Sequence, residues 1–508
     1  MKRLQFALLL AIPLCWFFFK LLPIYTQPAA CSTANFIYAE NLEHYKIWFF
    51  QVSNLQINAF DDSTNFLYVT ALWTLIHFFK FTTIKAALTI SAISIIVSIY
   101  LLQRIIDSRF WSINLLLVGL LFMSTQIWAG VLGDEILFQG MLWLLALRSF
   151  WKHRYSWLMI WTAVNIIARI DNFFILMPLI LVSYWDIKEL KERYKRKFIL
   201  SRIRKTILFL ILPIAIFYFY RYLYFGKIAP YHWLHTSTDS KSILGFFNKD
   251  AFYFLMHYLR FMILPLVIGV IFYFLKERKD LHFRYYAIAV GFIIIPSIYV
   301  CTFSQEENLA YKNYYSIYIG CMVLCLLFIR DFRSISQAIA TAIFVGFFGF
   351  KTAFSFLEKT LQSDYSNMYY LANDLSSIKN GHAVVYYDNY ISWMGNWNSV
   401  FASGKHTTSG KQLSVQEILN EQADIILVPQ KIQTQLYHDK YDKIVLPAST
   451  RQFEKQNKPE NSLELFFYKY AHKVPYNKSE KINLLVLKSS KHYKNILEIT
   501  AEHAGKLE

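Results

Sequence analysis

A chain of 508 residues that is 56% hydrophobic, 18% aromatic and only 17% charged is not composed like an aqueous globular protein, whose average is about 25% charged. The apolar residues are also clustered: 205–224, 252–275 and 285–303 are nearly free of charge and match the ~20 residues that cross a ~30 Å hydrocarbon core. The formal net charge of +18 is explained by basic residues holding loops on the cytoplasmic side of a membrane, and nucleic acid is set aside as a partner.

In chain order, Met1-Lys2-Arg3 followed by an apolar run to Leu22 looks like a signal peptide. Its long apolar region and the many spans that follow predict that it stays as a first transmembrane helix. Basic loops recur at 104–109, 152–154, 188–205, 276–284 and 330–333. Placing them inside with Lys2 and Arg3 fixes the orientation. The predicted spans are 4–23, 84–103, 111–129, 133–150, 156–171, 172–187, 205–225, 251–275, 285–303, 312–330 and 335–357, about eleven helices with the N-terminus inside. The segment 66–79 is apolar enough to span, but counting it would reverse every later loop. Residues 68–80 are therefore read as a helix on or dipping into the outer surface, a place that suits Trp73, His77 and Lys80. It belongs to a long outer loop, 24–83, of a size that usually carries function.

The fold class that follows is an α-helical polytopic membrane protein over 1–357, with a soluble α/β domain over 358–508 on the outer side. In the tail, 382–387, 424–428, 443–446, 463–468 and 482–488 read as short strands, and 369–378 and 415–422 as helices. Asn380-Gly381 and Ser409-Gly410 punctuate turns. Cys15, Cys31, Cys301, Cys321 and Cys325 show no metal spacing. Cys15, Cys321 and Cys325 fall within spans as packing residues. Cys31 and Cys301 land on the outer side, where a disulfide between them could persist.

Ionisable residues near membrane depth are costly, so their placement is informative. At outer helix ends lie Glu40 with Asp61 and Asp62, Asp134 with Glu135, Arg169 with Asp171, Arg221 with His232 and His235, and Glu306 and Glu307 with Lys312. An outward-facing cavity lined by carboxylates and cations is the simplest reading. That mixture suits group transfer from a phosphate-linked donor: a carboxylate takes the acceptor's proton, and cations stabilise charge on the leaving phosphate. Glu40, Asp61, Asp62, Asp134 and Glu135 are the candidate catalytic acids, and Arg169, Arg221, His232 and Lys312 the candidate phosphate binders. Asp171 and Glu307 are their companions. Each also has a plainer reading. Asp134 and Glu135 could cap a helix, Arg169 and Asp171 could pair across a turn, Asp61-Asp62 could form a turn, and His232 and His235 could be interfacial. Asp and Glu with water could hold a hard divalent cation, although no ligand spacing marks one.

Several short patterns carry a family resemblance. Tyr38-Ala39-Glu40-Asn41-Leu42, Leu72-Trp73-Thr74-Leu75, Gly133-Asp134-Glu135, Ala168-Arg169-Ile170-Asp171-Asn172 and Tyr224-Phe225-Gly226 with Pro230 resemble, in order, motifs of bacterial membrane glycosyltransferases of the GT-C fold. They resemble in particular the type that includes the arabinofuranosyltransferases of mycobacterial cell walls. The match covers roughly 30–235, and the span plan extends it to about 357. The resemblance implies a sugar moved from a polyprenyl-phosphate carrier to a cell-envelope acceptor at the outer face of a bacterial inner membrane. The family's acid pair ahead of Tyr-Ala-x-Asn-Leu is replaced here by Ala30 and Cys31. The base would then come from Glu40, Asp61-Asp62 or Asp134-Glu135. Failing these, the chain would be a non-catalytic lipid- or glycan-binding relative. A transporter or flippase is the third reading, and no internal repeat supports it.

Overall fold

The computed structural model describes residues 2–16, 30–46, 65–106, 133–185, 192–225, 283–298, 307–329, 367–385, 390–394, 397–401, 414–429, 437–447 and 481–504. The N-terminal part is helical: α1 (Lys2–Trp16), α2 (Ala30–Tyr45), α3 (Phe66–Phe79), α4 (Thr83–Ile106), α5 (Ile136–Trp151), α6 (Tyr155–Ala168) and α7 (Asn172–Trp185). Next come α8 (Glu192–Thr206) and α9 (Leu212–Phe225), joined without a break by a π-helical turn at Ile207–Ile211. After them come α10 (Phe283–Ala289), continued by the π turn Val290–Ile294, and α11 (Glu307–Ile329). Apart from α2 and α3, these helices overlap the predicted spans, except that α8 occupies the stretch read as the basic loop 188–205 and continues into the span at 205–225. Spans 111–129, 251–275 and 335–357 lie outside the described residues.

Among the described residues, Thr83–Ile106 and Phe198–Tyr224 are long and apolar enough to cross a membrane. Their environments differ. Thr83–Ile106 is half buried in the bundle, whereas Ile207, Leu208, Ile211, Ile216, Phe219 and Leu223 are exposed on α8–α9. A helix apolar on its exposed side needs an apolar solvent or partner.

The predicted outer-loop helix at 68–80 is present as α3. Asn65 caps it by accepting from the Tyr68 N–H at 3.0 Å, and Lys80 ends it in the left-handed region (φ 52). Tyr68, Val69 and Leu72 are buried, while Phe78 and Phe79 are exposed at its tip. The sequence reading left α2 without secondary structure. Its residues are not strongly amphipathic, and the helix stands because Phe36, Ile37, Tyr38 and Ala39 are buried by tertiary neighbours.

The tail forms a five-stranded mixed sheet among the described residues: β1 (His382–Val385), β2 (Asn398–Phe401), β3 (Ile425–Pro429), β4 (Tyr441–Pro447) and β5 (Lys481–Leu487) in the order β2-β1-β3-β5-β4. β1 pairs in parallel with β2 and β3, and β5 is antiparallel to β3 and β4. Four strands match the sequence reading. β2 was not foreseen, because Asn398-Ser399-Val400-Phe401 is too short and polar to stand out, and 463–468 lies outside the described residues. Helices α12 (Asn367–Leu375) and α14 (Val415–Asn420) fall where expected, whereas α13 (Tyr390–Met394) and α15 (Tyr493–Ala504) were not anticipated.

Both faces of the sheet are covered, and strand alternation assigns them. Val384, Val400, Ile426, Val428 and Leu485 pack with Ile418, Tyr437 and Tyr441. Ala383, Val385, Ile425, Leu427, Leu484 and Val486 pack with Leu371, Leu375 and Ile496, in one core that runs on into Phe36, Tyr38, Tyr68 and Leu72 of α2 and α3. The tail and the 30–80 helices thus share a hydrophobic core.

Candidate active site

The polar centre begins at a tight turn. Gly133 sits at φ +90, and a Cβ built there would lie 2.5 Å from Phe36 Cζ, so α2 approaches the turn as closely as a glycine allows. Tyr68 of α3 donates its hydroxyl to the Gly133 carbonyl at 2.7 Å. The turn presents Asp134 and Glu135, both buried. Asp134 Oδ1 accepts from the Glu135 N–H at 2.6 Å, and Glu135 Oε2 accepts from the Asn35 side-chain amide of α2. Tyr68 also lies within electrostatic range of both acids. Glu135 stands at the N-cap of α5 without a side-chain capping hydrogen bond, and its carboxylate instead accepts from α2.

A chain of buried amides extends from this point. Asn65 Nδ2 donates to Gln139 Oε1 at 3.2 Å, and Gln139 Nε2 donates to Asn165 Oδ1 at 2.9 Å. Asn165 Nδ2 donates to the carbonyls of Trp161 (2.7 Å) and Leu142 (3.0 Å). Asn172 Nδ2 donates to the Asn165 carbonyl at 2.8 Å while its Oδ1 accepts from Trp143 Nε1 at 2.9 Å. The chain ties α3, α5, α6 and α7 at one end of the bundle. Buried polar networks specify geometry when every member is satisfied.

Arg169 and Asp171 occupy the α6–α7 turn. Arg169 Nε donates to Asp171 Oδ1 at 3.1 Å and its terminal nitrogen to Oδ2, a two-pronged pair with both side chains about nine-tenths buried. The plainer reading of these two residues, a pair across the turn, is what the geometry shows. Tyr218 of α9 donates to the Ile166 carbonyl at 3.1 Å and lies within electrostatic range of Asp171. One turn further along α9, buried Arg221 lies within electrostatic range of Tyr38 on α2.

Glu40 joins this centre to the tail. Its Oε1 accepts from the Thr83 hydroxyl at the start of α4 and from the indole N–H of Trp393 on α13 at 3.0 Å. The Trp393 ring packs on Phe36, with centroids 5.0 Å apart. Burial pushes the Glu40 carboxyl above its ordinary value, and the Thr83 and Trp393 hydrogen bonds and the charge of His44 partly offset it. Glu43, one turn on, behaves oppositely. Burial opposes the shift, but the hydrogen bond from His77 at 2.8 Å and the charges of His77 and Lys46 hold it below its ordinary value. Lys80 lies 3.6 Å from the same carboxylate.

Of the predicted set, the structure pairs Arg169 with Asp171, joins Glu135 to α2 through Asn35, sets Arg221 within electrostatic range of Tyr38 on α2, and turns Glu40 of the same helix toward Thr83 and Trp393. Asp61, Asp62, His232, His235 and Glu306 lie outside the described residues. Glu307 and Lys312 lie in the first two turns of α11, with side chains outside the described set, as are those of Ala30 and Cys31 in α2. Among the described residues no group of three or more His, Cys, Asp and Glu side chains gathers as a metal site. Sequence reasoning missed Asn35, Asn65, Gln139, Asn165, Thr83 and Trp393. An amide inside an apolar helix, as at Asn165, was a usable signal. Trp393 gave none, being 353 residues from its partner.

No known family's sequence model matches the chain, and no curated protein matches it. Solved structures do. ArnT from Cupriavidus metallidurans bound to undecaprenyl phosphate superposes with a TM-score of 0.60 at 8% identity, over 95% of this chain and 98% of that one. The same protein in the apo state gives a TM-score of 0.62 at 8% identity, over 94% and 97%. The fold is GT-C, as the motif resemblance implied.

Proposed function

We propose that this chain is an integral-membrane glycosyltransferase. It moves a sugar from a polyprenyl-phosphate donor to a cell-envelope glycan, lipid or protein at the outer face of the inner membrane. One observation carries the reading: α2 carries Asn35 to Glu135, Tyr38 to within electrostatic range of Arg221, and Glu40 to Trp393 of the α/β unit. The fold shared with ArnT, whose structure holds undecaprenyl phosphate, supports the donor class.

Glu40 is the base. It is half-buried, so its carboxylate reaches the junction, whereas Asp134 and Glu135 are buried and bind α2 to the α5 turn. The carboxylate takes the proton of the acceptor hydroxyl as that oxygen attacks the anomeric carbon, the bond from that carbon to the phosphate oxygen breaks, and the carrier leaves as polyprenyl phosphate. Arg221 and Arg169 stabilise the charge on the leaving phosphate, Arg169 by releasing part of its pairing with Asp171. The eleven-span plan, the N-terminus inside and the tail outside complete the proposal.

The test is purified protein in lipid nanodiscs with a panel of polyprenyl-phosphate sugars and an envelope-lipid acceptor. Turnover that disappears in Glu40→Gln supports the reading. Capture of undecaprenyl phosphate with no turnover from any donor would replace it with the non-catalytic binder suggested by Ala30 and Cys31.

A further inference from the structure

The α/β tail could merely cover the bundle, but one contact argues for more. α13 lies directly after β1 and carries Trp393 to Glu40. Its ring is clamped by Phe36 on the same α2 helix, and both residues belong to the core that runs from the sheet into α2 and α3. The donor is therefore anchored on both sides. The indole N–H and the buried Thr83 hydroxyl converge on the same carboxylate oxygen, which fixes the plane of the group and its rotation about the side chain. A two-donor clamp supplied by two distant elements is how a base is held for attack.

We propose that Trp393 is a positioning residue for Glu40, so that the C-terminal unit completes the active site. The inference rests on the role given to Glu40 above and adds that the tail sets that role. The charged group that acts on Glu40 is His44 on its own helix; Glu43, one turn on, is paired with His77 and Lys80 on and after α3, and from α13 the facing group is the Trp393 N–H. The indole hydrogen bond favours the ionised carboxylate, so its loss moves the Glu40 titration to higher pH.

The experiment replaces Trp393 with Phe, and separately with benzothienylalanine, an indole isostere without the N–H that keeps the packing on Phe36 if Trp393→Phe fails to fold. The expected result is a fall in kcat of about tenfold with the donor KM held within about twofold, and an acid limb of the pH profile displaced upward. Infrared titration of the Glu40 carboxylate, isolated by subtracting the Glu40→Gln spectrum, shows the same displacement without needing turnover. Wild-type kcat and an unmoved titration in both variants would overturn the inference. If wild type turns over no donor, the proposed function falls, and the infrared titration alone decides whether Trp393 governs Glu40.

Discussion

The two ends of the same helices handle charge in different ways. At the end bearing 104, 148–154, 202 and 284, cations lie over aromatic rings: Arg104 and Arg148 share Tyr100, Arg202 covers Tyr155 and Phe198, and Arg284 covers Phe150 while donating to the Trp151 carbonyl at 3.1 Å. At the other end Asn35, Asn65, Asp134, Glu135, Gln139, Asn165, Asp171, Asn172 and Arg221 are buried. Ring-stacked cations near water need no further justification. Buried amides and carboxylates do, because each must find a partner or be penalised by about 1–3 kcal/mol. The contrast teaches that one end keeps its charges on ring faces and the other buries its polar groups in a hydrogen-bonded network.

The largest expected break is at the end with the buried network. Glu40→Gln lowers turnover at least about 100-fold, the scale of general-base catalysis, with undecaprenyl phosphate binding nearly unchanged. Because Glu40 titrates above its ordinary 4.5 and works ionised, activity falls as pH drops through that raised value. An acid limb at or below 4.5 would remove Glu40 from the role. Next in size, Gly133→Ala destabilises the fold by about 1–3 kcal/mol through its positive φ, with the approach of Phe36 adding to it. Thermal unfolding in nanodiscs measures the loss, and trimming Phe36 to Leu in the same chain recovers the steric part.

Arg169→Ala weakens undecaprenyl phosphate binding about tenfold, near the lower range for a hydrogen bond to a charged group. Binding that is unchanged would assign Arg169 wholly to its pair with Asp171. The smallest effect belongs to the basic end, where Arg104→Gln leaves turnover within about twofold. A tenfold loss there would erase the distinction between the two ends.

Much of this was legible in the chain. Apolar runs of membrane-crossing length, basic punctuation between them and strand alternation in the tail are local signals, and the helices that overlap the apolar runs and four of the strands fall where those signals put them. The sequence also singled out Glu40, Asp134, Arg169 and Arg221, of which Arg169 is seen paired with Asp171 and Glu40 held by Thr83 and Trp393. The helix at 30–45 was not legible, because its stability comes from burial of Phe36 and Tyr38 by distant segments and not from its own pattern. The pairing of Arg169 with Asp171 was one of the readings the sequence offered, and only the geometry shows it formed.

By itself the sequence determined that helices of a given length and order must exist and which of their ends carry acids, because hydrophobicity and charge act residue by residue. Only the tertiary structure decided which groups meet: Asn35 with Glu135, Gln139 with Asn165, and Trp393 with Glu40 across 353 residues. A hydrogen bond depends on distances of a few tenths of an ångström, and no one-dimensional pattern encodes those until the whole core has packed.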